Sequence, residues 1–469
     1  MTVDSAEIVA EHVASLKLDD IPASTLEAAK VSILDTIAVM CAGASGHDVG
    51  SVLQIAGAWG GRAESTVMGQ VGMAPSYLAV LSNGAMVHQL DWDDTHDTAV
   101  CHPGAAALPA ALAIAEAAGG VSGSDLLVAY VAGSDLASRL GLAIKGTLWD
   151  YPWVRAPVVG MFGAAAAGSR VLGLDAERTA DAFGLALPQV GATLASLETP
   201  GSSVRTIRDG LAYKDAVLAV GLASMGTHGD RGVFDGPYGL FHAFFGGDYD
   251  RDEIVGGLGE TFETENVSIK PWPSCRHTHG PLTAFFDALT DSGRERQDIS
   301  AVVAHVGASN QRLFRNGPDD GYPDNHAGSL CNLRYALSVA WSEGRVAPAS
   351  FDEHNLSSRG VREAYRHVSW ARADEFDAAG TIEPGWVDIS FEDGGMTSAR
   401  VEYALGHPCN PLSIAQLREK VDLCMETGRL NPRNGAVDEL FALVLDLENQ
   451  EVADLSAALT RLWALKQRR

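Results

Sequence analysis

The sequence predicts a mainly α-helical protein in which a smaller α+β domain is inserted into a large all-helical domain. Apolar residues recur at helical spacing in the first part of the chain, alternating apolar and polar residues begin after Thr261, and helical spacing returns after Asn410. At 469 residues, the chain is also longer than a single hydrophobic core usually supports. We therefore expect residues 1–262 and 411–469 to form the helical domain and residues 263–410 to form the inserted domain.

The helices of the predicted helical domain are marked by apolar residues three and four positions apart. The segment 24–42 is nearly apolar on all sides, and Ser24 or Thr25 is a suitable cap before Glu27, so we place this helix in the centre. Alanine and glycine are frequent on the helix faces, which allows neighbouring helices to approach closely. The other helices are predicted over residues 5–17, 75–88, 104–118, 124–142, 160–173, 176–187 and 209–225.

The inserted domain is predicted from strands with helices between them. Residues 300–306 and 386–391 have the alternation of half-buried strands, and the second of these meets 401–403 across the turn 392–395, which contains two glycines. Helices are predicted over residues 279–291 and 326–342 in this domain, and over 413–425 and 436–465 in the C-terminal segment.

The chain is strongly acidic, with a formal net charge of −26. Such a surface repels phosphates and anionic lipids, so we expect neither nucleic acid nor a membrane as a partner. The longest uncharged apolar runs cover about thirteen residues, against the roughly twenty that span a bilayer. Asp4 and Glu7 stand where a secretion signal would be basic and then apolar. We therefore expect a cytoplasmic protein.

Several common functional motifs are absent from the sequence. It contains no GxGxxG after a strand, no GxxxxGK[ST] and no GxSxG, so nucleotide binding and α/β-hydrolase chemistry have little support. The six cysteines are scattered without a CxxC pair, which argues against a disulfide framework or a zinc ribbon. Cys275, His277 and His279 lie close together in the sequence, but no fourth zinc ligand accompanies them.

The segment from His88 to Gly104 is the strongest candidate for a functional site. It contains four aspartates within seven residues, beside three histidines, and it lies between two apolar segments that must be buried. So much charge at the edge of a core is unfavourable unless it is paired or used. The aspartates are Asp91, Asp93, Asp94 and Asp97.

Three interpretations of this segment are open. The aspartates cap helices and turns, or they bind Mg²⁺ or Ca²⁺ at a spacing unlike that of an EF-hand, or a carboxylate holds the tautomer of a histidine that exchanges protons with a substrate. His102 directly precedes a predicted helix that begins with Pro103 and Gly104, and the free N–H groups of a helix N-terminus favour an anion. We therefore expect a substrate carboxylate beside His102 and Gly104.

Longer motifs are distributed along nearly the whole chain. They are His88-x-x-Asp91-Trp92-Asp93-Asp94-Thr95-His96, His102-Pro103-Gly104-Ala105-Ala106, Phe162-Gly163-Ala164-Ala165, Lys270-Pro271-Trp272-Pro273-Ser274-Cys275-Arg276 and Asn410-Pro411-Leu412-Ser413. Together they resemble the signature of the MmgE/PrpD family, which includes 2-methylcitrate dehydratase, cis-aconitate decarboxylase and iminodisuccinate epimerase. The resemblance implies a helical domain with an inserted α+β lid domain, a homodimer, and cofactor-free chemistry next to carboxylates.

The resemblance also implies roles for individual residues. Similar enzymes place a catalytic lysine in the motif that contains Lys270, and a desolvated lysine with a lowered pKa can act as a base. His102 is then an acid that Asp91 orients. Arg205 and Arg208 suit the binding of substrate carboxylates, although surface salt bridges explain them equally well. The further candidates for substrate binding are Thr95, Gly104, Arg276 and His277.

One departure from the family motif bears on the reaction. Dehydratase and decarboxylase members have a histidine just before the helix that contains Phe162, whereas this chain has Val154. Loss of an imidazole that protonates a leaving hydroxyl or a carbanion argues against dehydration of 2-methylcitrate and decarboxylation of cis-aconitate. The epimerase branch pairs a tyrosine from this region with the lid lysine, and Tyr151 is nearby, although a core or stacking role explains Tyr151 equally well.

We therefore predict a lyase or isomerase that abstracts a proton α to a carboxylate of a small di- or tricarboxylate, without a metal or other cofactor. Lys270 is the predicted base, and His102 or Tyr151 is the predicted acid. Loss of water would make the protein a dehydratase, and return of the proton to the opposite face would make it an epimerase. Two other classes stay open, a metal-dependent hydrolase that uses the aspartates from Asp91 to Asp97 and a non-catalytic dimer that binds carboxylates.

Overall fold

The computed structural model describes residues 3–69, 72–199, 202–314, 321–379, 382–430 and 435–464. The fold is mainly α-helical, as the sequence predicts. The helices that precede residue 260 are α1 Ser5–Ser15, α2 Ala23–Gly43, α3 Val49–Trp59, α4 Ser76–His88, α5 Pro103–Ala118, α6 Gly123–Ala143, α7 Arg155–Val171, α8 Ala176–Ala186, α9 Ala195–Glu198, α10 Val204–Ser224, α11 Leu240–Phe245 and α12 Arg251–Val255.

The remaining helices follow, together with eight strands in the described residues. The helices are α13 His279–Ser292, α14 Ala308–Leu313, α15 His326–Leu330, α16 Leu333–Glu343, α17 Glu353–Leu356, α18 Arg359–Arg366, α19 Ile414–Thr427, α20 Ala436–Leu445 and α21 Val452–Ala464. The strands are β1 Ser65–Thr66, β2 Met73–Ala74, β3 Thr95–His96, β4 Val267–Ser268, β5 Ile299–Val306, β6 Val368–Arg372, β7 Gly385–Phe391 and β8 Met396–Val401.

Small residues bring the central helices into backbone contact. A Cβ atom added at Gly133 in α6 would lie 2.6 Å from the carbonyl oxygen of Gly163 in α7. Likewise, a Cβ at Gly84 in α4 would lie 2.8 Å from the Cα of Gly210 in α10. Helix α6 has the length and hydropathy of a membrane span, but 94% of its most apolar window is buried inside the protein. These contacts explain why the helices are rich in glycine and alanine.

The buried apolar residues form two separate cores. The first core joins helices α1–α8 and α10–α12 to the C-terminal helices, which contribute Leu417, Val421 and Leu455. The second core lies between a four-stranded sheet and helices such as α13 and α16, and it includes Phe285 and Val302. The order of this sheet is β6-β5-β7-β8, with β5 parallel to β6 and the other pairs antiparallel. The exact domain boundaries and the role of the inserted part as a lid stay predictions.

Three of the predicted elements are divided or displaced in the structure. The helix predicted over 326–342 is two helices, because the side chain of Asn332 accepts a hydrogen bond from the N–H of Tyr335 and begins α16. The helix predicted over 436–465 is divided into α20 and α21 by a turn in which the Asp446 carboxylate accepts hydrogen bonds from the side-chain amides of Asn449 and Gln450. The last strand, predicted over 401–403, is β8, which pairs with β7 immediately after the turn. Capping side chains thus interrupt segments whose apolar spacing continues.

Candidate active site

The loop between α4 and α5 carries the aspartates and is held by two distant parts of the chain. Strand β3 in this loop pairs with β4, so that Thr95 lies opposite Ser268, and Lys270 follows β4 by two residues. On the other side, Lys420 in α19 pairs with Asp35 in α2 at 2.5 Å and donates a hydrogen bond to the carbonyl oxygen of Trp92 at 3.1 Å. The loop is therefore positioned by the segment that begins the second core and by a C-terminal helix.

Lys270 is joined to the loop by hydrogen bonds to Asp91. The Lys270 ammonium donates to the Asp91 carbonyl oxygen at 2.9 Å and to its carboxylate at 2.6 Å. Arg205 donates to the other oxygen of the same carboxylate. Asp91 has a φ angle of 49°, in the left-handed region that L residues rarely adopt. This conformation is maintained by two buried cations on one carboxylate.

The charges of this cluster contradict one sequence prediction. Burial disfavours the Lys270 ammonium, but the carboxylates of Asp91 and Asp93 outweigh this effect and raise the pKa of Lys270 above its usual value. Burial likewise disfavours the Asp91 carboxylate, but Lys270 and Arg205 hold its pKa well below its usual value. The expected lowering of the Lys270 pKa is therefore wrong. Lys270 is a protonated, fully buried cation in this arrangement.

His88, Asp93 and Arg208 form a chain of hydrogen bonds whose direction can be deduced. The Arg208 guanidinium can only donate, and it lies 3.0 Å from Nε2 of His88. His88 therefore accepts at Nε2 and carries its proton on Nδ1, which lies 3.0 Å from the Asp93 carboxylate. All three side chains are buried. This chain fixes the orientation of Arg208.

The ring of His102 is held by one nitrogen. Its Nδ1 lies 2.6 Å from the carbonyl oxygen of Asp94, which can only accept, so Nδ1 carries the proton and Nε2 has the lone pair. Burial lowers the pKa of His102 to about 4, with smaller contributions from Lys270 and His88. The ring is neutral at neutral pH and is a proton acceptor there, which corrects the predicted role as an acid. Its orientation comes from the Asp94 carbonyl and not from Asp91.

Gly104 does not offer its N–H to a substrate. The Asp94 carboxylate accepts this N–H at 2.8 Å and so occupies the N-terminus of α5. A Cβ at Gly104 would lie 2.6 Å from the same carboxylate and 2.7 Å from Thr36 Oγ1. Burial, together with the charges of Asp93 and Asp35, raises the pKa of Asp94 to about 7. The expectation of a substrate carboxylate at this helix end is therefore wrong, because a protein carboxylate already fills the position.

A pocket adjoins this cluster and encloses about 600 Å³, its mouth included. Of the sequence-predicted residues, Lys270, Gly104 and Tyr151 are described but do not line it. The lining residues are Asp91, Thr95, Val100, His102, Leu148, Trp149, Val154, Ala156, Leu197, Arg205, Arg208, Cys275, Arg276, His277, Leu313, Cys331 and Ile382.

Two arginines from α10 bring unused hydrogen-bond donors to the pocket. Both side chains are buried, with 6% of each residue exposed. Nε of Arg205 and Nη1 of Arg208 are buried nitrogens that have no hydrogen-bond partner within the described part of the chain. Buried donors without partners are unfavourable, so an acceptor that enters this pocket gains their hydrogen bonds. The predicted pairing of Arg205 and Arg208 with substrate carboxylates agrees with this geometry.

Arg276 and His277 both line the pocket, but they differ in how many of their hydrogen-bonding nitrogens already have a partner. Arg276 donates to Asp97 through Nε and Nη2, each at 2.9 Å, and its Nη1 donates to the Leu405 carbonyl. The side-chain oxygen of Asn310 lies 3.1 Å from Nδ1 of His277 and accepts its proton, since the Asn310 amide nitrogen donates to the His277 carbonyl. Nε2 of His277 is buried and has no partner among the described residues. His277 is thus a second imidazole beside the pocket with one ring nitrogen that has no partner among the described residues, whereas Arg276 is a structural cation.

Tyr151 lies outside this arrangement. Its hydroxyl donates to the carbonyl oxygen of Lys145 at 3.0 Å, and its ring packs edge-on against Phe245 with 5.3 Å between centroids. This places Tyr151 in the alternative role that the sequence left open, a packing residue. Val154, by contrast, does line the pocket, just before the first turn of α7. The position where the resemblance implies a histidine in dehydratases and decarboxylases is therefore an apolar part of the wall.

Sequence reasoning missed several functional side chains. His88 and Asp93 were part of the recognised motif, so the signal for them was present without a role attached. Asn310 orients His277 across 33 positions of the chain, and no local pattern marks it. Cys275 and Cys331 meet in the pocket wall although 56 positions separate them in the sequence.

The side chains that could hold a metal ion are a poor fit for one. Potential ligand atoms of His88, Asp91, Asp93 and His102 all lie within 4.8 Å of one another. However, both ring nitrogens of His88 are already engaged, and Asp91 is neutralised by two cations. A metal ion would have to displace Lys270, whose charge repels it. The donor set therefore suits an organic anion more than a divalent cation.

Comparison with known proteins identifies the family. A model of the MmgE/PrpD N-terminal domain matches residues 7–252, and a model of the MmgE/PrpD C-terminal domain matches residues 272–447. The chain belongs to the MmgE/PrpD family. Among MmgE/PrpD relatives, cis-aconitate decarboxylase of Aspergillus terreus is 29% identical over 414 residues, covering 84% of this chain and 83% of the relative. Cis-aconitate decarboxylase of Mus musculus is 27% identical over 487 residues (97% and 92%), and that of Homo sapiens is 27% identical over 463 residues (95% and 92%).

Proposed function

We propose that this protein is a lyase that acts on a small di- or tricarboxylate by removing a proton α to a carboxylate. The observation that carries this proposal is the neutral ring of His102, with its lone pair on Nε2, in a pocket where Arg205 and Arg208 have unused donors. A base next to carboxylate-binding cations is the arrangement that carbon-acid chemistry requires. The three relatives named above are cis-aconitate decarboxylases, which supports a lyase with a carboxylate substrate.

In the proposed mechanism, each residue has one task. Arg205 and Arg208 bind the substrate carboxylates, and His102 accepts the α-proton at Nε2. The electron pair of the broken C–H bond passes into the adjacent carboxylate, whose added negative charge the two guanidinium groups stabilise, and then forms the new double bond as the leaving group departs from the β-carbon. Lys270 holds the Asp91 carboxylate in place, and Asp91 in turn holds Arg205 beside the pocket. Because the buried carboxylates of the cluster already balance its cations, a dianionic substrate favours protonation of His102. The reaction needs no metal and no organic cofactor.

A second candidate is an epimerase, and His277 is the observation that favours it. Stereo-inversion needs a proton acceptor and a proton donor on opposite faces of the same carbon atom. His102 comes from the N-terminal end of α5, and His277 comes from the segment that precedes α13. Two imidazoles from separate segments of the chain could serve both faces. The absence of a histidine at Val154 also removes a residue that the decarboxylating members carry.

Proton exchange in D₂O tests the proposal. We expect proton NMR to show exchange or loss of an α-proton on at least one of 2-methylcitrate, cis-aconitate and iminodisuccinate. The variant His102→Asn keeps a donor for the Asp94 carbonyl but has no base, so it should lose at least a hundredfold in rate. Tyr151→Phe is the matched control and should keep full activity. Exchange that survives in His102→Asn would overturn the assignment of the base.

The same samples separate lyase, epimerase and the other classes. An accumulating alkene or released CO₂ indicates a lyase, whereas deuterium incorporation without a new product indicates an epimerase. Inhibition by a chelator that added Mg²⁺ reverses would favour the metal-dependent hydrolase. Thermal stabilisation by a tricarboxylate without turnover would favour the non-catalytic carboxylate binder.

We also propose that the protein is a homodimer whose interface includes the outer face of α10. Val204, Leu211, Leu218 and Met225 follow one another at intervals of seven residues, and between 40% and 86% of each is exposed. This spacing forms one apolar stripe along a helix. The double variant Leu211→Glu and Leu218→Glu should be monomeric in analytical ultracentrifugation. Ile414→Glu, at another exposed apolar position, should stay dimeric.

A further inference from the structure

Two cysteines meet in the wall of the pocket. The sulfur atoms of Cys275 and Cys331 and a carboxylate oxygen of Asp91 all lie within 4.8 Å of one another. The N–H of Cys275 also donates to the carbonyl oxygen of Leu330, the residue before Cys331, at 2.9 Å. The two residues are therefore adjacent both along their backbones and at their sulfurs.

We propose that Cys275 and Cys331 are a modification site, at which a small disulfide oxidises the two thiols to a reversible disulfide that inactivates the pocket. One protein thiol loses its proton and attacks the small disulfide, forming a mixed disulfide and releasing one small thiolate. The second protein thiol loses its proton and displaces the other small thiolate. The protein thus gives up two electrons and two protons, and the reagent leaves as two small thiols. A dithiol reverses the reaction.

The position of the pair distinguishes it from the other cysteines. Cys41, Cys101 and Cys424 are buried in the helical core, where no small reagent reaches them, and Cys409 is exposed but distant in sequence from both thiols. Cys275 and Cys331 line the pocket, so a reagent small enough to enter it reaches both. Contact with the Cys331 thiol and burial hold the pKa of the Cys275 thiol well above its usual value, so little of the attacking thiolate is present at neutral pH and the oxidation is slow there.

The disulfide would act on the residues that organise the site. Cys275 directly precedes Arg276, which donates hydrogen bonds to Asp97. It lies five residues after Lys270, which donates hydrogen bonds to Asp91. Cys331 lies between α15 and α16. A covalent bond is shorter than the thiol contact that it replaces, so its formation draws these segments together. The pocket wall beside Arg205 then changes shape, and substrate carboxylates bind less well.

Mass spectrometry and activity together test this proposal, and only the activity arm rests on the proposed function. The full-length protein is treated with 2-hydroxyethyl disulfide, digested, and searched for a peptide that links Cys275 to Cys331. We expect this linked peptide, at least a tenfold loss of α-proton exchange, and recovery of activity with dithiothreitol. A carboxylate that fills the pocket should slow the oxidation severalfold.

Single variants complete the test. Cys275→Ser and Cys331→Ser, each compared with its own untreated sample, should lose sensitivity to the reagent, whereas the exposed Cys409→Ser control should remain as sensitive as the wild type. The absence of the linked peptide in the wild type would overturn the proposal even if no substrate is found. A linked peptide accompanied by unchanged activity would also overturn it. Because the linked peptide is measured in the wild type, the test does not depend on the folding of any variant.

Discussion

Lys270 donates hydrogen bonds to both the main-chain carbonyl and the carboxylate of Asp91. A left-handed backbone at Asp91, with φ of 49°, accompanies this double contact, because both acceptors of the residue reach the same ammonium. The second carboxylate oxygen accepts from Arg205 in α10. Asp91 therefore joins the segment that enters the second core to a helix of the first core. Several measurable consequences arise from this cluster and its surroundings.

Removal of the lysine charge should destabilise the protein strongly. Lys270→Met leaves the buried Asp91 carboxylate without its closest cation, and we expect the free energy of unfolding to fall by about 3–5 kcal/mol. Adding Asp91→Asn should recover part of this loss, because the uncompensated charge is gone. Urea denaturation of the two single variants and the double variant measures the coupling. Additive effects within about 0.5 kcal/mol would show that the pair does not interact as described.

The neutral buried ring of His102 should make stability depend on acidity. Burial lowers its pKa to about 4 in the folded protein, whereas an unfolded histidine has a value near 6.5. Between these values the unfolded chain binds more protons, so the stability falls as the pH falls from about 6.5 to 4, by roughly 3 kcal/mol in total. The variant His102→Asn lacks this titration. The difference between the two curves of unfolding free energy against pH isolates the histidine, and a flat difference would contradict its lowered pKa.

Asp94 should have the opposite dependence. Its pKa is raised to about 7, chiefly by burial, so the folded protein binds a proton that the unfolded chain releases near pH 4. Stability is then lost as the pH rises from about 4 through 7, by up to about 4 kcal/mol. Asp94→Asn cannot ionise. It retains an oxygen for the Gly104 N–H, and it places its amide nitrogen where Oδ1 has no hydrogen-bond partner among the described residues. It should be more stable than the wild type at pH 8 and lose most of this advantage at pH 5, as thermal unfolding at both pH values will show.

Val154 allows a gain of function to be tested. Val154→His places an imidazole at the wall position where the resemblance puts one in the dehydratase and decarboxylase members. If a missing proton donor limits the lyase reaction, this variant should release CO₂ from cis-aconitate at least tenfold faster than the wild type. Val154→Phe adds a ring without a proton and is the matched control. Equal rates in the two variants would indicate that another residue determines the reaction.

Periodicity predicted the helices well, because an apolar stripe is a local property that any window of the chain reveals. The interruptions between helices were harder to predict, since Asn332 caps a helix inside a segment whose apolar spacing continues on both sides. The motif around Asp91 located the cluster and its charged partners. The motif could not predict that the pKa of Lys270 is raised. That pKa depends on the balance between burial and two carboxylates, which only the folded chain brings close to the lysine.

The same distinction explains the errors at Gly104 and Tyr151. The sequence does not show whether the N–H groups of a helix N-terminus are free for a ligand or already bonded within the protein. Only the path of the preceding loop shows that the Asp94 carboxylate accepts the Gly104 N–H. Tyr151 lies close in sequence to the pocket residue Val154, but its hydroxyl is used by the carbonyl of Lys145. Contacts such as that between Asn310 and His277 involve residues far apart in the chain, so no local pattern encodes them.

The contact between Lys420 and the carbonyl oxygen of Trp92 has a consequence for the order of events during synthesis. The two residues are 328 positions apart, so at the usual 5–20 residues per second a ribosome needs roughly 15–65 s to proceed from one to the other. During that interval the aspartate loop lacks its support from α19, and the nascent chain has no finished pocket. In the newly made protein the aspartate loop therefore lacks this support until α19 has left the ribosome.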